Sequence, residues 1–300
     1  MIAPAWLWIV FTVIGAAAQT ARTAMQRELI ETLGTIGATH VRFLFGLPFS
    51  LLFLALAAVL LPEPLPAPNA AALAWIGGGA LSQVAATALM LAAMRERSFI
   101  VATALAKIEP VWVALASALV LAEPLTPIMM ATIVVAPLGV LLMSWPRPSH
   151  GGRQPSVRSA LLGISAGALF GFAAMGYRGG IGALGGSSFV AAATLALAMA
   201  LALQTIVLSA YLAARERGTL VAITQAWRPS LFAGFMGAFA SQFWFLAFAL
   251  QSAALVRTVA LIEILFAFFV SRGLFHQRLG GREAVGILLL VAGVAVLLNS

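Results

Sequence analysis

Apolar residues run along this chain in stretches long enough to cross a bilayer, and polar residues gather between them. A bilayer core needs about 20 apolar residues per helix. Windows of that length predict ten spans, at 5–24, 34–61, 70–93, 98–121, 126–145, 159–177, 186–213, 229–250, 253–273 and 283–299. Prolines and charges fall mainly at the breaks. Pro62, Pro64, Pro66 and Pro68 make the second break too proline-dense to be helical. The stretch 146–158, PRPSHGGRQPSVR, is polar and divides the chain into halves of five spans, 1–150 and 151–300. The N-terminal segment from Trp6 to Ala18 resembles a signal peptide. No Lys or Arg precedes it and the apolar run continues to Thr20, so it is read as an uncleaved first helix.

Within that pattern two spans are copies of each other. The fourth reads SFIVATALAKIEPVWVAL from Ser98, and the ninth reads SAALVRTVALIEILFAFF from Ser252. In both, a serine precedes an Ile-Glu pair, with the glutamate eleven residues on. Ser82-Gln83 in the third span aligns with Ser241-Gln242 in the eighth, and Gly139 with Gly293. Five spans per half is odd, so the second copy must enter the membrane from the opposite side. The predicted fold is all-α integral membrane, ten transmembrane helices as two inverted five-helix repeats, which form one structural unit.

Composition agrees with the pattern. Apolar residues make up 62% of the chain and charged residues 9%, against about 25% charged in a soluble domain. Mean hydropathy is +1.05. There is no cysteine, which excludes disulfides, thiol nucleophiles and cysteine metal sites. His40, His150 and His276 form no metal-binding pattern, and no phosphate loop is present. No cofactor, metal or ATP is expected. The net charge of +8 reflects arginines dispersed between spans, which does not suggest nucleic acid. Arg22, Arg27, Arg95, Arg97, Arg147, Arg153, Arg158, Arg215, Arg217, Arg228, Arg272, Arg278 and Arg282 follow odd-numbered spans. The other side holds Arg178 with Glu63 and Glu123. The positive-inside rule puts the arginine-rich side in the cytoplasm and both termini outside an inner, cytoplasmic membrane.

The candidate chemistry is the charge inside the spans. The fourth carries Lys107 and Glu109, and the ninth carries Arg257 and Glu263. Ionisable groups are costly inside a membrane and mark functional positions. If the helices meet, Lys107 would pair with Glu263 and Arg257 with Glu109. Two readings stand: salt bridges that pin the helices, or groups that bind substrate charge or a coupling proton. Pro110 removes a backbone donor and frees the carbonyl of Ala106, either breaking the helix at the carboxylate or merely kinking it. The ninth span has Ile264 at this place, so the halves need not move alike. Ser82, Gln83, Ser241 and Gln242 either bind substrate from two sides or bond between helices. Gln19 and Thr20 are weaker candidates. Among Trp75, Trp112, Trp227 and Trp244, the last lies just past Gln242 and suits a cavity. Trp227 beside Arg228 suits an interface anchor. Gly163, Gly167 and Gly171 space a stripe on the sixth span for internal packing, for sliding, or for a dimer seam.

The segment IEPVWVALASALVLAEPLT followed by PLGVLLM, and its counterpart IEILFAFFVSRGLFHQRL followed by VAGVAVLL, resemble the EamA-type drug/metabolite transporter superfamily. Glu123 fits the acidic residue that closes a short helix there, and Gln277 replaces it in the second copy. The resemblance implies a central cavity lined by spans 1, 3, 4, 6, 8 and 9, with spans 5 and 10 peripheral. It also implies a secondary active transporter of small metabolites, amino acids or organic cations, acting in export or exchange by alternating access. The alternative is a translocase for a lipid carrier or lipid-linked substrate. The expected partners are a small-molecule substrate, the lipid bilayer and protons as a candidate coupling ion, with the chain a monomer or weak homodimer. A membrane-embedded hydrolase is disfavoured, because the spans hold no Asp and no Cys and offer only His40 near a span end.

Overall fold

The computed structural model describes residues 4–94, 104–144, 157–186, 188–266 and 281–298. Ser98, Gln277 and most of the 146–158 linker lie outside them. The described residues are predominantly helical, and among them there are no strands. Their helices are α1 (Leu7–Leu44), α2 (Leu47–Leu60), α3 (Ala70–Met94), α4 (Glu109–Val120), α5 (Pro127–Ser144), α6 (Val157–Leu184), α7 (Phe189–Arg215), α8 (Arg217–Gln225), α9 (Trp227–Leu250), α10 (Ala253–Val259) and α11 (Gly281–Leu298). Among the described residues, five stretches are long and apolar enough to cross a membrane: Thr32–Leu60, Ala70–Met90, Ala160–Leu184, Phe189–Arg215 and Trp227–Leu250. Shorter apolar helices lie at Leu7–Arg22, Pro127–Leu142 and Ala284–Leu298.

The chain packs as two compact units that interleave along the sequence. The first comprises Met1–Val84 and Gly176–Gln251. Here α1 runs along α9, and α7 packs on α2 and α9. Two glycines set the path of α1. Gly34 bends it with φ +68°, a left-handed conformation that side chains resist. Gly234 lets α9 approach the end of α1, since a Cβ there would stand 2.5 Å from the Phe45 carbonyl carbon. The proline linker is non-helical up to Asn69. That asparagine caps α3 by accepting from the Ala72 N–H at 2.8 Å, and donates to the Ala183 carbonyl at 2.7 Å. Ser188 caps α7 in the same way, accepting from the Ala191 N–H at 3.3 Å.

The second unit comprises Ala85–Met175 and Ser252–Ser300. Its longest packed pair is α5 with α11. A Cβ on Gly139 would meet the Gly286 carbonyl at 2.6 Å, while one on Gly293 would meet Ala136. These contacts run in opposite chain directions, so the helices are antiparallel. Ala136, Val140, Leu261 and Leu290 form the buried core beside them, with Ile264, Leu265 and Val294 packed around it. Ser252, one of the repeated serines, caps α10 by accepting from the Leu255 N–H at 3.4 Å.

Candidate functional site

Each unit carries a polar centre. In the second unit the predicted crossed pairing is present. Lys107 donates to Glu263, and Arg257 Nε donates to Glu109. The four side chains retain only 10–21% of their exposure. Helix breaks make the crossing possible. On an unbroken α-helix two residues apart means about 200° of rotation, so Lys107 and Glu109 would point to opposite sides. Residues 107–108 instead form a turn, and α4 restarts at Glu109 with Pro110 beside it. Across the interface a 3₁₀ turn, Ala260–Ile262, separates α10 from Glu263. Six α-helical steps would leave Arg257 and Glu263 about 120° apart. Three 3₁₀ steps add about 20° each and bring them to about 60°, on one face. The ninth span therefore breaks at its glutamate without a proline. The freed carbonyl of Ala106 faces Gly167, where a Cβ would stand 2.8 Å from it, and Gly171 lies against Trp112 and Val113. The glycine stripe of the sixth span thus packs against the broken fourth span.

In the first unit the predicted polar side chains fall into three groups among the described residues. Gln204 Nε2 donates to Gln83 Oε1 at 2.8 Å, to Tyr177 Oη at 3.1 Å and to the Ala80 carbonyl at 3.2 Å. Tyr177 in turn donates to Gln83 Oε1 at 2.8 Å and stacks on Phe245 at 4.5 Å. Gln242 Nε2 donates to Thr194 Oγ1 at 2.8 Å, while its buried Oε1 has no hydrogen-bond partner among the described residues. On the α1–α9 seam, Trp244 Nε1 donates to Gln19 Oε1 at 3.2 Å, and Gly15 makes room for the indole ring. Ser241 is buried one turn from Trp244, and Ser82 is half-buried on α3. The two Ser-Gln pairs, aligned in sequence, therefore take different partners. Trp227 is half-exposed with Arg228 over its ring at 5.4 Å. Trp112 is also exposed.

Residues 6–145 match the model of the EamA-like transporter family. That stretch belongs to the EamA-like transporter family. This match over the first half, together with the long apolar helices, supports a multi-pass membrane protein, and the family itself is one of transporters of the drug/metabolite type. A solved crystal structure shares its fold, with a TM-score of 0.68 at 14% identity, over 97% of this chain and 95% of the other. No curated protein matches the chain. The EamA-like stretch supplies Gln19, Gln83, Lys107 and Glu109. Their partners Trp244, Gln204, Glu263 and Arg257 come from beyond it.

The sequence reading missed several buried polar residues. Arg22, read as a loop residue, lies inside α1 at 7% exposure, and Arg42 is buried at 4%. His40 is fully buried within α1, its Nε2 3.0 Å from Ser209 Oγ. Gln204 sits in the middle of α7. Each is a polar residue inside an apolar window, which was the signal available. Arg178 was placed as an outer-loop charge. It belongs to α6 and donates to the Phe248 and Ala249 carbonyls at the end of α9, where a cation suits the helix dipole.

Proposed function

We propose that this chain is a secondary transporter of small metabolites, amino acids or organic cations, working in export or exchange by alternating access. Its place is the cytoplasmic membrane, with both termini outside and two inverted five-helix repeats. The observation that carries the proposal is the crossed pair of buried ion pairs at two helix breaks. Four charges cancel in one place, and each sits beside a discontinuity where backbone rotation is cheap. Repeat-equivalent helices also pack antiparallel to each other, α5 on α11, as an inverted repeat requires. In the cycle, one conformation holds the pairs closed and the other parts them to engage substrate or a coupling proton.

The test is reconstitution in liposomes, with uptake of labelled amino acids and organic cations measured with and without a pH gradient. Substrate-dependent uptake that falls in a folded Glu109→Gln, Glu263→Gln double variant supports the mechanism. Full uptake by that variant refutes a role for the carboxylates.

A further inference from the structure

The turn from α7 to α9 forms a surface of its own. Both helices are long enough to cross a bilayer core, with 27 residues in α7 and 24 in α9. At 1.5 Å per residue they span about 40 and 36 Å, against a core of about 30 Å. Between them α8 has nine residues and a length of about 14 Å, too short to cross. The chain therefore leaves the membrane at the end of α7 and re-enters at the start of α9, with α8 held at that face. One side of α8 is closed against the protein. Thr219 and Ile223, one turn apart, lie against Gly37 of α1, and Ile223 is fully buried. The other side is open, with Gly218, Val221, Thr224 and Gln225 exposed.

The two helices that α8 joins give its depth in the bilayer. On α9, Trp227, Leu231 and Phe232 are exposed apolar side chains, and Arg228 stands one turn before Phe232. On α7, Tyr211 is exposed one turn before Arg215. Each arginine thus sits about 6 Å beyond side chains that meet lipid, at the level of the headgroups. Tyrosine and tryptophan favour this level too, and Arg228 lies over the Trp227 ring at 5.4 Å.

Charge at this level is positive. Arg215, Arg217 and Arg228 are exposed, and none forms an ion pair among the described residues. Arg217 Nε donates to the Ala213 carbonyl at 2.9 Å, which engages one of its three nitrogens and turns the side chain back along α7. Glu216, the one acid from Tyr211 to Phe232, accepts from Thr219 Oγ1 at 3.2 Å. Three arginines less one glutamate leave this segment a net charge of +2.

We propose that Arg215, Arg217 and Arg228 form a binding surface for the phosphodiester headgroups of anionic phospholipids, with Tyr211 and Trp227 seated at the boundary of the acyl chains. Guanidinium and phosphate match in charge and in hydrogen-bond geometry. The exposed apolar side chains share helix faces with the arginines, and an amphipathic anion matches both. Because α8 separates Arg217 from Arg228, the arginines serve neighbouring headgroups. The surface does not depend on the substrate or on the transport mechanism proposed above.

The test titrates dioleoyl phosphatidylglycerol or dioleoyl phosphatidylcholine into the purified full-length protein in non-ionic detergent, and takes apparent affinity from the midpoint of thermal stabilisation. The expected result is a preference for phosphatidylglycerol that high salt weakens. Arg228→Gln lowers affinity for phosphatidylglycerol about fivefold, the worth of one arginine at an anionic surface. The triple variant Arg215→Gln, Arg217→Gln, Arg228→Gln loses the preference and keeps its binding of phosphatidylcholine. The corresponding triple lysine variant retains most of the preference, which separates loss of charge from loss of fold. A charge-matched control, Arg147→Gln, Arg153→Gln, Arg282→Gln, also retains it. Inorganic phosphate at the same concentration gives no shift. The proposal is overturned by equal affinity of wild type for the two lipids, or by an undiminished preference in the triple glutamine variant. An equal loss in the control, a lysine variant as weak as the glutamine one, or a shift with phosphate matching that with phosphatidylglycerol would also overturn it.

Discussion

Replacing Glu109 with glutamine takes the carboxylate away from Arg257 while the guanidinium stays in a site that is 13% exposed. Losing one partner of a buried ion pair costs about 3–5 kcal/mol, mostly the desolvation of the charge left behind. The residual exposure of both side chains places this site at the lower end, about 3 kcal/mol. At roughly 2–4 °C per kcal/mol for a chain of this general size, the melting temperature falls on the order of 6–12 °C. A mutant cycle read by thermal unfolding in detergent separates this pair from its neighbour. Glu109→Gln with Arg257→Gln removes both charges and recovers most of the loss. Glu109→Gln with Glu263→Gln leaves Arg257 and Lys107 on facing helices, so the two losses add. The more exposed Lys107, at 21%, makes the second loss the smaller. A Glu109→Gln, Arg257→Gln variant no more stable than Glu109→Gln would refute the pairing argument. So would a melting temperature unchanged in Glu109→Gln.

Two glycines offer independent checks. Gly167→Ala would put a methyl 2.8 Å from the Ala106 carbonyl oxygen and is expected to destabilise by about 1–3 kcal/mol through overpacking. Equal stability of wild type and variant on denaturant titration would contradict the close contact at the helix break. Gly34→Ala meets nothing within 4 Å, so its cost is conformational only, on the order of 1–3 kcal/mol for a side chain at φ 68° and ψ −178°. A stabilised Gly34→Ala protein would show that α1 is not bent there.

The chain's long-range features were legible where a polar group interrupts an apolar run. Lys107, Glu109, Arg257 and Glu263 stand out on that ground, and the repeat register brought them into correspondence. Their crossed pairing follows from charge balance once the helices touch. The helix break of the ninth span was not legible, because no proline or glycine marks residues 260–262. It arises from the demand that Arg257 and Glu263 face the same neighbour. Arg22 was misplaced because a charge after an apolar run looks like the end of a span. Only tertiary packing shows that α1 continues past Arg22 to a bend at Gly34, with the Arg22 side chain lying against Gly237 of α9. Gln83 and Gln242 were equivalent in sequence but differ in partner, Gln204 for one and Thr194 for the other. Helix neighbours decide such bonds, and a local pattern does not encode them.

Counterflow in proteoliposomes tests alternating access most directly. Vesicles are preloaded with an unlabelled pool of amino acids, organic acids or amines, and the corresponding labelled pool is added outside at low concentration. An alternating-access transporter returns each time with an outward-bound molecule, so label accumulates transiently above its equilibrium level. The predicted result is that overshoot for at least one pool, absent from protein-free vesicles. Label that only equilibrates, as through a channel, or no protein-dependent entry from any of the three pools, would contradict the account.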